Sequence, residues 1–267
     1  MNQYHYSSAS SPDHLSASSP WHPGASAPRH PGASSLYHPI APARQRPGFP
    51  ASQFPGSALQ AYRQLAAALL DSDLQTRSQV GGSSFGLVSS NRREGCSSVA
   101  ANLSITLVSE TTKNVLLIDA DLESPGAAYI LGAHQGPGLC EIVRGEALLD
   151  QVIVPTDADR LWVLRAGYLC QGERAGNVLD APEARELFKQ VKQLFDMVIF
   201  DLPPADSGPG AKLVAPHLDG AVIVIKSRST RKVQVEKTMD LVGRSRVIGF
   251  AMSFCTDEIP RWLSERL

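Results

Sequence analysis

Three short words carry the reactive side chains of this sequence. The first is Ser90-Asn91-Arg92-Arg93-Glu94-Gly95-Cys96-Ser97-Ser98, set between an apolar run at residues 85–88 and a small-residue stretch, 97–108, without a helix breaker. The second is Val115-Leu116-Leu117-Ile118-Asp119-Ala120-Asp121, an apolar strand ending in two carboxylates; the third is Met197-Val198-Ile199-Phe200-Asp201, ending in one. Strand, polar loop and helix in that order make an anion site, because the loop's backbone N–H groups turn inward and the helix N-terminus adds positive potential. The pattern G-x-x-x-x-G-K-[ST] maps onto Ser90 to Ser97, with its second glycine at Gly95 and its hydroxyl at Ser97. Cys96 stands at the lysine position. In a parallel sheet all three strands end at one edge, where ligands bind. Asp119, Asp121 and Asp201 then face the loop, placed for magnesium or a water.

The elements that must position these words follow from periodicity. Short buried strands are expected at 161–164, 220–226 and 247–252, and helices at 182–195 and 230–242. Leu187, Val191 and Leu194 share one face of the first of these helices. Strands alternating with helices argue an α/β fold with a doubly wound, mostly parallel sheet. Residues 57–70 read as an amphipathic helix, with Leu59, Tyr62, Leu65, Ala66 and Leu69 at i, i+3, i+4 spacing. Pro125 fits the first turn of a helix, and Gly136-Pro137-Gly138 breaks the chain before a short helix at 139–143.

Composition sets outer bounds. The chain has 267 residues, which suggests one domain, 56–267, after a tail at 1–55. The tail is rich in Ser, Pro and His and poor in Val, Ile and Leu, so it is expected to be disordered. His14, His22, His30 and His38 recur in it at a spacing of eight residues, a repetitive linker in the first instance and a metal-binding tract in the second. Tyr4, Tyr6 and Tyr37 lie there as exposed phosphorylation candidates. A net charge of −1 gives no bias to nucleic acid or to anionic membrane. Four scattered cysteines, Cys96, Cys140, Cys170 and Cys255, show no metal spacing and suit a reduced, cytoplasmic chain. No apolar run reaches the ~18 residues of a span, and no leader-like core is present. Cys96 reads as a small residue tolerated where lysine was lost, or as a reactive thiolate at a helix N-terminus.

Taken together, the words EGCSSVAANLS, NVLLIDADLESP, ILGAHQGPGLCEIVRGE, LWVLRAG, FDMVIFDLPP and LDGAVIVI resemble, over residues 58–254, the cytoplasmic domain of bacterial tyrosine kinases of capsule and exopolysaccharide synthesis. These are the CpsD, CapB and Wzc type, within the MinD/ParA-like branch of P-loop ATPases. The resemblance implies ATP and magnesium as cofactors. Ser90, Arg92, Arg93, Glu94, Gly95, Cys96, Ser97 and Ser98 would line the nucleotide; Asp119, Asp121 and Asp201 would be catalytic; Ser97, Asp119 and Asp201 would hold the metal. It also implies a membrane-bound polysaccharide export or chain-length protein as partner, which would bring the chain to the inner face of the membrane. Homo-oligomerisation is left open, since only Arg63 of the family's glutamate–arginine–arginine assembly motif survives at Gln60, Arg63 and Ala66.

The departures from the family fall on its chemistry. Arg92 and Arg93 replace a proline and a glycine, Asn91 stands where the MinD branch places a second lysine, and Ser253 replaces an asparagine near the adenine. The segment 170–179 departs from the family word there, and the terminal tyrosine cluster that serves as acceptor has no counterpart in 256–267. A lost charge-assisted hydrogen bond of about 1.5–3 kcal/mol weakens binding by roughly ten- to a hundred-fold. Loss of a transition-state donor slows chemistry by about 100- to 1000-fold. The expectation is a tyrosine-kinase-like regulator with weak or absent kinase activity. The alternatives are an active kinase or ATPase using Arg92 or Arg93 for the missing charge, and a MinD/ParA-like positioning ATPase.

Overall fold

The structure is a computed structural model that describes residues 56–76, 81–133 and 136–254. The expectations for the tail, its histidines and tyrosines, for Cys255 and for the terminal segment lie outside the described residues.

Seven strands form one sheet: β1 (Ser83–Ser89), β2 (Val115–Asp119), β3 (Ile153–Pro155), β4 (Leu161–Leu164), β5 (Met197–Asp201), β6 (Gly220–Lys226) and β7 (Val247–Ser253). Their order is β3-β4-β2-β5-β1-β6-β7. Every neighbouring pair is parallel except β3 with β4. The α/β, doubly wound, mostly parallel architecture expected from the sequence is therefore present.

The strands β1, β2 and β5 are buried along their whole length because both faces of the sheet are covered. Alternate side chains serve opposite layers. Leu116, Ile118, Val198 and Phe200 point into one core, and Val115, Leu117, Met197 and Ile199 into the other. The first core is closed by α4 (Leu139–Val143), α7 (Pro182–Leu194), α8 (Gly210–Val214) and α9 (Lys232–Val242), the second by α1 (Gly56–Thr76), α2 (Cys96–Glu110) and α3 (Ala127–Ile130). Gly86 in the middle of β1 lets Leu202 and Leu218 approach, since a Cβ there would lie 2.5 Å from Leu218 and 2.8 Å from Leu202. Phe188 meets Phe200 edge to face at 5.1 Å, which fixes α7 on the sheet.

The helix α1 packs on its own domain. Ala66 and Leu69 are buried against α2, Asn102 donates to the Tyr62 hydroxyl at 3.2 Å, and Arg63 pairs with Glu110 at 2.8 Å.

Several local expectations need correction. Leu194 is exposed, because α7 ends there and its last turn leaves the sheet. Pro125 precedes α3, whose cap is Gly126, instead of entering its first turn. The segment from 170, without a family counterpart, contains a helix, α6 (Ala175–Asp180), which buries Val178 and Leu179. The strand β3 follows a one-turn helix, α5 (Leu149–Val152), and is three residues long at the sheet edge, where Pro155 is tolerated because no ladder donor is needed.

At the N-terminal ends of the strands Asp219 accepts from the Ser84 amide at 2.7 Å, the Ser84 hydroxyl at 3.0 Å and Lys192 at 2.8 Å. Replacing Asp219→Ala strands a half-buried lysine and is expected to cost about 3 kcal/mol, read by urea unfolding. Ligand binding at the opposite edge should be unchanged; a stability loss below 1 kcal/mol would contradict this pinning role.

Candidate functional site

The C-terminal ends of β1, β2 and β5 meet at one edge, and Asp119 and Asp201 are register partners on adjacent strands. The loop after β1 folds back through Gly95, which caps α2 in the left-handed region at φ 84°. Arg93 is also left-handed at φ 61°, a conformation that glycine adopts without a Cβ penalty. This accounts for the family's glycine at that position.

Glu94 organises the loop from within. It is buried, and its carboxylate accepts from the amides of Ser90 at 2.9 Å and Asn91 at 3.0 Å. It also accepts from the Asn91 side chain at 2.7 Å and from the Thr230 hydroxyl at 2.6 Å. Helix α9 completes the lock: Gln234 donates to Asn91 at 2.7 Å, and Thr238 shares a hydrogen bond with Ser90 at 2.8 Å. Ser253, at the end of β7, donates to the Glu94 carbonyl at 2.5 Å. With Glu94 so engaged, the backbone N–H groups from Arg92 to Ser98 find no acceptor among the described residues. An arc of free donors at a helix N-terminus is what a phosphate requires.

The other side of the site is negative. Asp201 is fully buried, and neither carboxylate oxygen accepts a hydrogen bond of good geometry, although the Cys96 thiol and the Ser97 hydroxyl lie against it. Burial, then the Asp119 charge, pushes its carboxyl well above the usual range. Asp119 accepts from the Ala128 amide at 3.1 Å through one oxygen, and its other oxygen is buried without a partner. Burial raises its carboxyl to about 6. Asp121, just past β2, is raised by burial, with Arg92 opposing the shift. Gly126 brings the turn after β2 against Ser97: a Cβ there would lie 3.0 Å from the Ser97 hydroxyl.

Orphaned carboxylate oxygens beside a helix-N-terminal hydroxyl fit a hard divalent cation. Among the described residues no three His, Cys, Asp or Glu side chains form a metal cage of their own. That is compatible with magnesium, which takes one or two protein ligands and completes its shell with waters and phosphate oxygens.

Cys96 does not supply the missing charge. It is buried, and burial followed by the Asp201 carboxylate pushes its thiol well above the ordinary value, so the thiolate reading is set aside. Arg92 reaches across to Asp121 at 3.4 Å and Glu123 at 3.1 Å, so its guanidinium is already shared by two carboxylates. Arg93 is exposed and makes no ion pair among the described residues. Ser98 is exposed at the start of α2.

Thr230, Gln234 and Thr238 are site residues that the sequence reading passed over. The spacing of four between Gln234 and Thr238 on α9, with Thr230 just ahead of the helix, was the available signal.

Fold and loop define a P-loop NTPase. The family model for ParA, described as the NUBPL iron-transfer P-loop NTPase, matches residues 87–253. The chain belongs to this family, in its branch of bacterial tyrosine-protein kinases. It is 30% identical over 162 residues to the tyrosine-protein kinase YwqD of Bacillus subtilis (strain 168), covering 60% of this chain and 67% of YwqD. It is 32% identical over 134 residues to the succinoglycan biosynthesis transport protein ExoP of Rhizobium meliloti (strain 1021), covering 50% of this chain but 17% of ExoP. The kinase domain of the Escherichia coli tyrosine kinase ETK superposes with a TM-score of 0.68 at 20% identity, covering 76% of this chain and 77% of that one, a likeness of fold.

Two outcomes test the loop. Thr230→Val removes a donor to a buried carboxylate and should lower stability by about 1.5–3 kcal/mol in denaturant unfolding; no loss would mean that Glu94 is not held as described. Iodoacetamide with site-mapped mass spectrometry should label exposed Cys170 and spare buried Cys96 in the native protein. Equal labelling of the two would contradict the burial of Cys96.

Proposed function

We propose that this chain is a regulatory, tyrosine-kinase-like P-loop protein of exopolysaccharide or capsule biosynthesis or export, with weak or absent ATP-dependent kinase activity. The observation that carries this reading is Cys96, buried against Asp201 where the family places its phosphate-binding lysine. The loop keeps an arc of amide donors, but Glu94, Asp119, Asp121 and Asp201 lie in or beside it, and of its two arginines Arg92 is shared by Asp121 and Glu123 while Arg93 is exposed. Such a site is poorly matched to the triphosphate, whose binding and transfer depend on concentrated positive charge.

Asp119, Asp121 and Asp201 are the catalytic carboxylates of this reading, and Ser90 with Arg92 to Ser98 lines the nucleotide. Ser97, Asp119 and Asp201 are the residues that would hold magnesium, which supplies neutralisation of phosphate charge when bound. In the chain itself, Glu94, Thr230 and Gln234 keep the loop in shape before any ligand arrives. Preorganisation of that kind removes an ordering cost from binding.

The partner in this reading is a membrane-bound polysaccharide export protein, supported by the name of one relative, the succinoglycan biosynthesis transport protein ExoP. Among the described residues no helix is long and apolar enough to cross a membrane. The alternative of an active enzyme using Arg92 or Arg93 in place of lysine is weakened for Arg92 by the two carboxylates that already share its guanidinium, which leaves exposed Arg93 as its cation. A positioning ATPase is disfavoured by Asn91, whose amide serves Glu94 and Gln234.

The test pairs turnover with rescue. Purified protein with magnesium and ATP should give no phosphotyrosine above background. By calorimetry Cys96→Lys should bind Mg-ATP about ten- to a hundred-fold more tightly than the wild type. Micromolar wild-type affinity together with phosphotyrosine formation would overturn the reading.

A further inference from the structure

The whole chain carries a net charge of −1, but residues 226–246 hold seven Lys and Arg against two Asp and Glu. Both acids are already engaged: Glu236 pairs with Lys232 at 3.8 Å and Asp240 with Arg244 at 2.5 Å. Arg228, Arg231 and Lys237 are exposed and make no ion pair among the described residues. Arg228 is held at φ 58° in the turn that leaves β6.

The same corner exposes large apolar side chains. Phe250 is 51% exposed, Met252 62%, Phe254 63% and Val233 53%. Phe250 and Met252 lie opposite Ile223 and Ile225 in the β6–β7 pairing. Residues paired in a parallel ladder share a face, so both point to the α9 side, where Ile223, Ile225, Val235 and Met239 pack into one core. The ammonium of Lys226 stands 4.8 Å from the Phe254 ring centroid, a ring that also lies towards the loop, 3.2 Å from where a Cβ on Gly95 would sit. β7 is moreover the outermost strand on its side of the sheet.

Free cations around a rim of exposed Phe and Met match the chemistry of an anionic bilayer surface. Lys and Arg are drawn to acidic headgroups, and aromatic and apolar side chains enter the boundary with the acyl chains. Duplex nucleic acid would use the cations and leave the apolar side chains in water. We infer that the α9–β7 corner is a peripheral docking surface for anionic lipid headgroups in a bilayer, contacted directly by Arg228, Arg231, Lys237, Phe250 and Met252. It does not rest on the reading of the nucleotide site, and its test needs no nucleotide.

The full chain should co-sediment with vesicles of equimolar phosphatidylcholine and phosphatidylglycerol, and not with phosphatidylcholine alone. Binding should fall as salt is raised from 0.1 M to 1 M, where the screening length shrinks from about 10 Å to about 3 Å. The double variant Arg228→Glu with Arg231→Glu should lose at least about 25-fold in affinity, taking about fivefold for each cation removed. Phe250→Ser with Met252→Ser should lose binding with an unchanged circular dichroism spectrum. If that pair does not fold, the charge-reversal pair, which alters exposed side chains only, decides the matter. Absence of vesicle binding, equal binding to neutral vesicles, or binding indifferent to the charge reversal overturns the proposal. Capture of duplex DNA or of an acidic peptide in place of the vesicles overturns it as well.

Discussion

Two carboxylates side by side on neighbouring strands, sealed from water and left without enough donors, set the terms for everything around them. Asp119 and Asp201 sit in register, and three of their four oxygens have no hydrogen-bond partner. A buried ion without a partner is disfavoured by several kcal/mol, on the order of the net stability of a domain. Burial, with the charge of neighbouring carboxylates, favours their protonated forms and pushes both carboxyls above the usual range. A divalent cation would relieve the same constraint, and Ser97 is the hydroxyl beside it. The parallel sheet creates the problem, because its topology delivers those strand ends to one place.

Across from this pair the loop solves a different problem. Its amides must stay free to meet an anion, yet a loop of free donors has little to hold it together. Glu94 resolves this by taking the first two amides and anchoring to Thr230, while Gln234 and Thr238 brace the loop from α9. Donors from Arg92 onward remain available. The arc of amides at the start of α2 is thus held open, while the position ahead of Ser97 is occupied by a short, buried thiol. Fold and preorganisation have outlasted the charge.

Much of this was legible beforehand. The strands at 161–164 and 220–226 match β4 and β6 residue for residue, because short apolar runs between breakers leave little choice. Asp119 and Asp201 were legible because a carboxylate at the end of a buried strand has few purely local reasons to be there. What stayed hidden depended on contacts between distant words. Arg92 looked like a free cation in the loop, and its pairing with Asp121 and Glu123 needs the turn after β2 to lie alongside. Thr230 and Glu94 are far apart in sequence and give no local hint of each other. β3 is too short to show a period, and the basic corner at α9 was masked by a whole-chain charge near zero.

One helix borders both surfaces. α9 presents Gln234 and Thr238 to the loop, while Val233 and Lys237 face outward on the same helix. Whatever engages that outer side acts one helix diameter from the amide arc. The central claim is that the cradle persists while its middle cation is gone, with Cys96 turned against Asp201. A crystal structure of the protein soaked with magnesium and ADP tests this most directly. The account predicts Cys96 Sγ against the Asp201 carboxylate, with no side-chain cation at the β-phosphate. A lysine or arginine from elsewhere in the chain reaching that phosphate, or Asp119 and Asp201 pointing away from the loop, would contradict it.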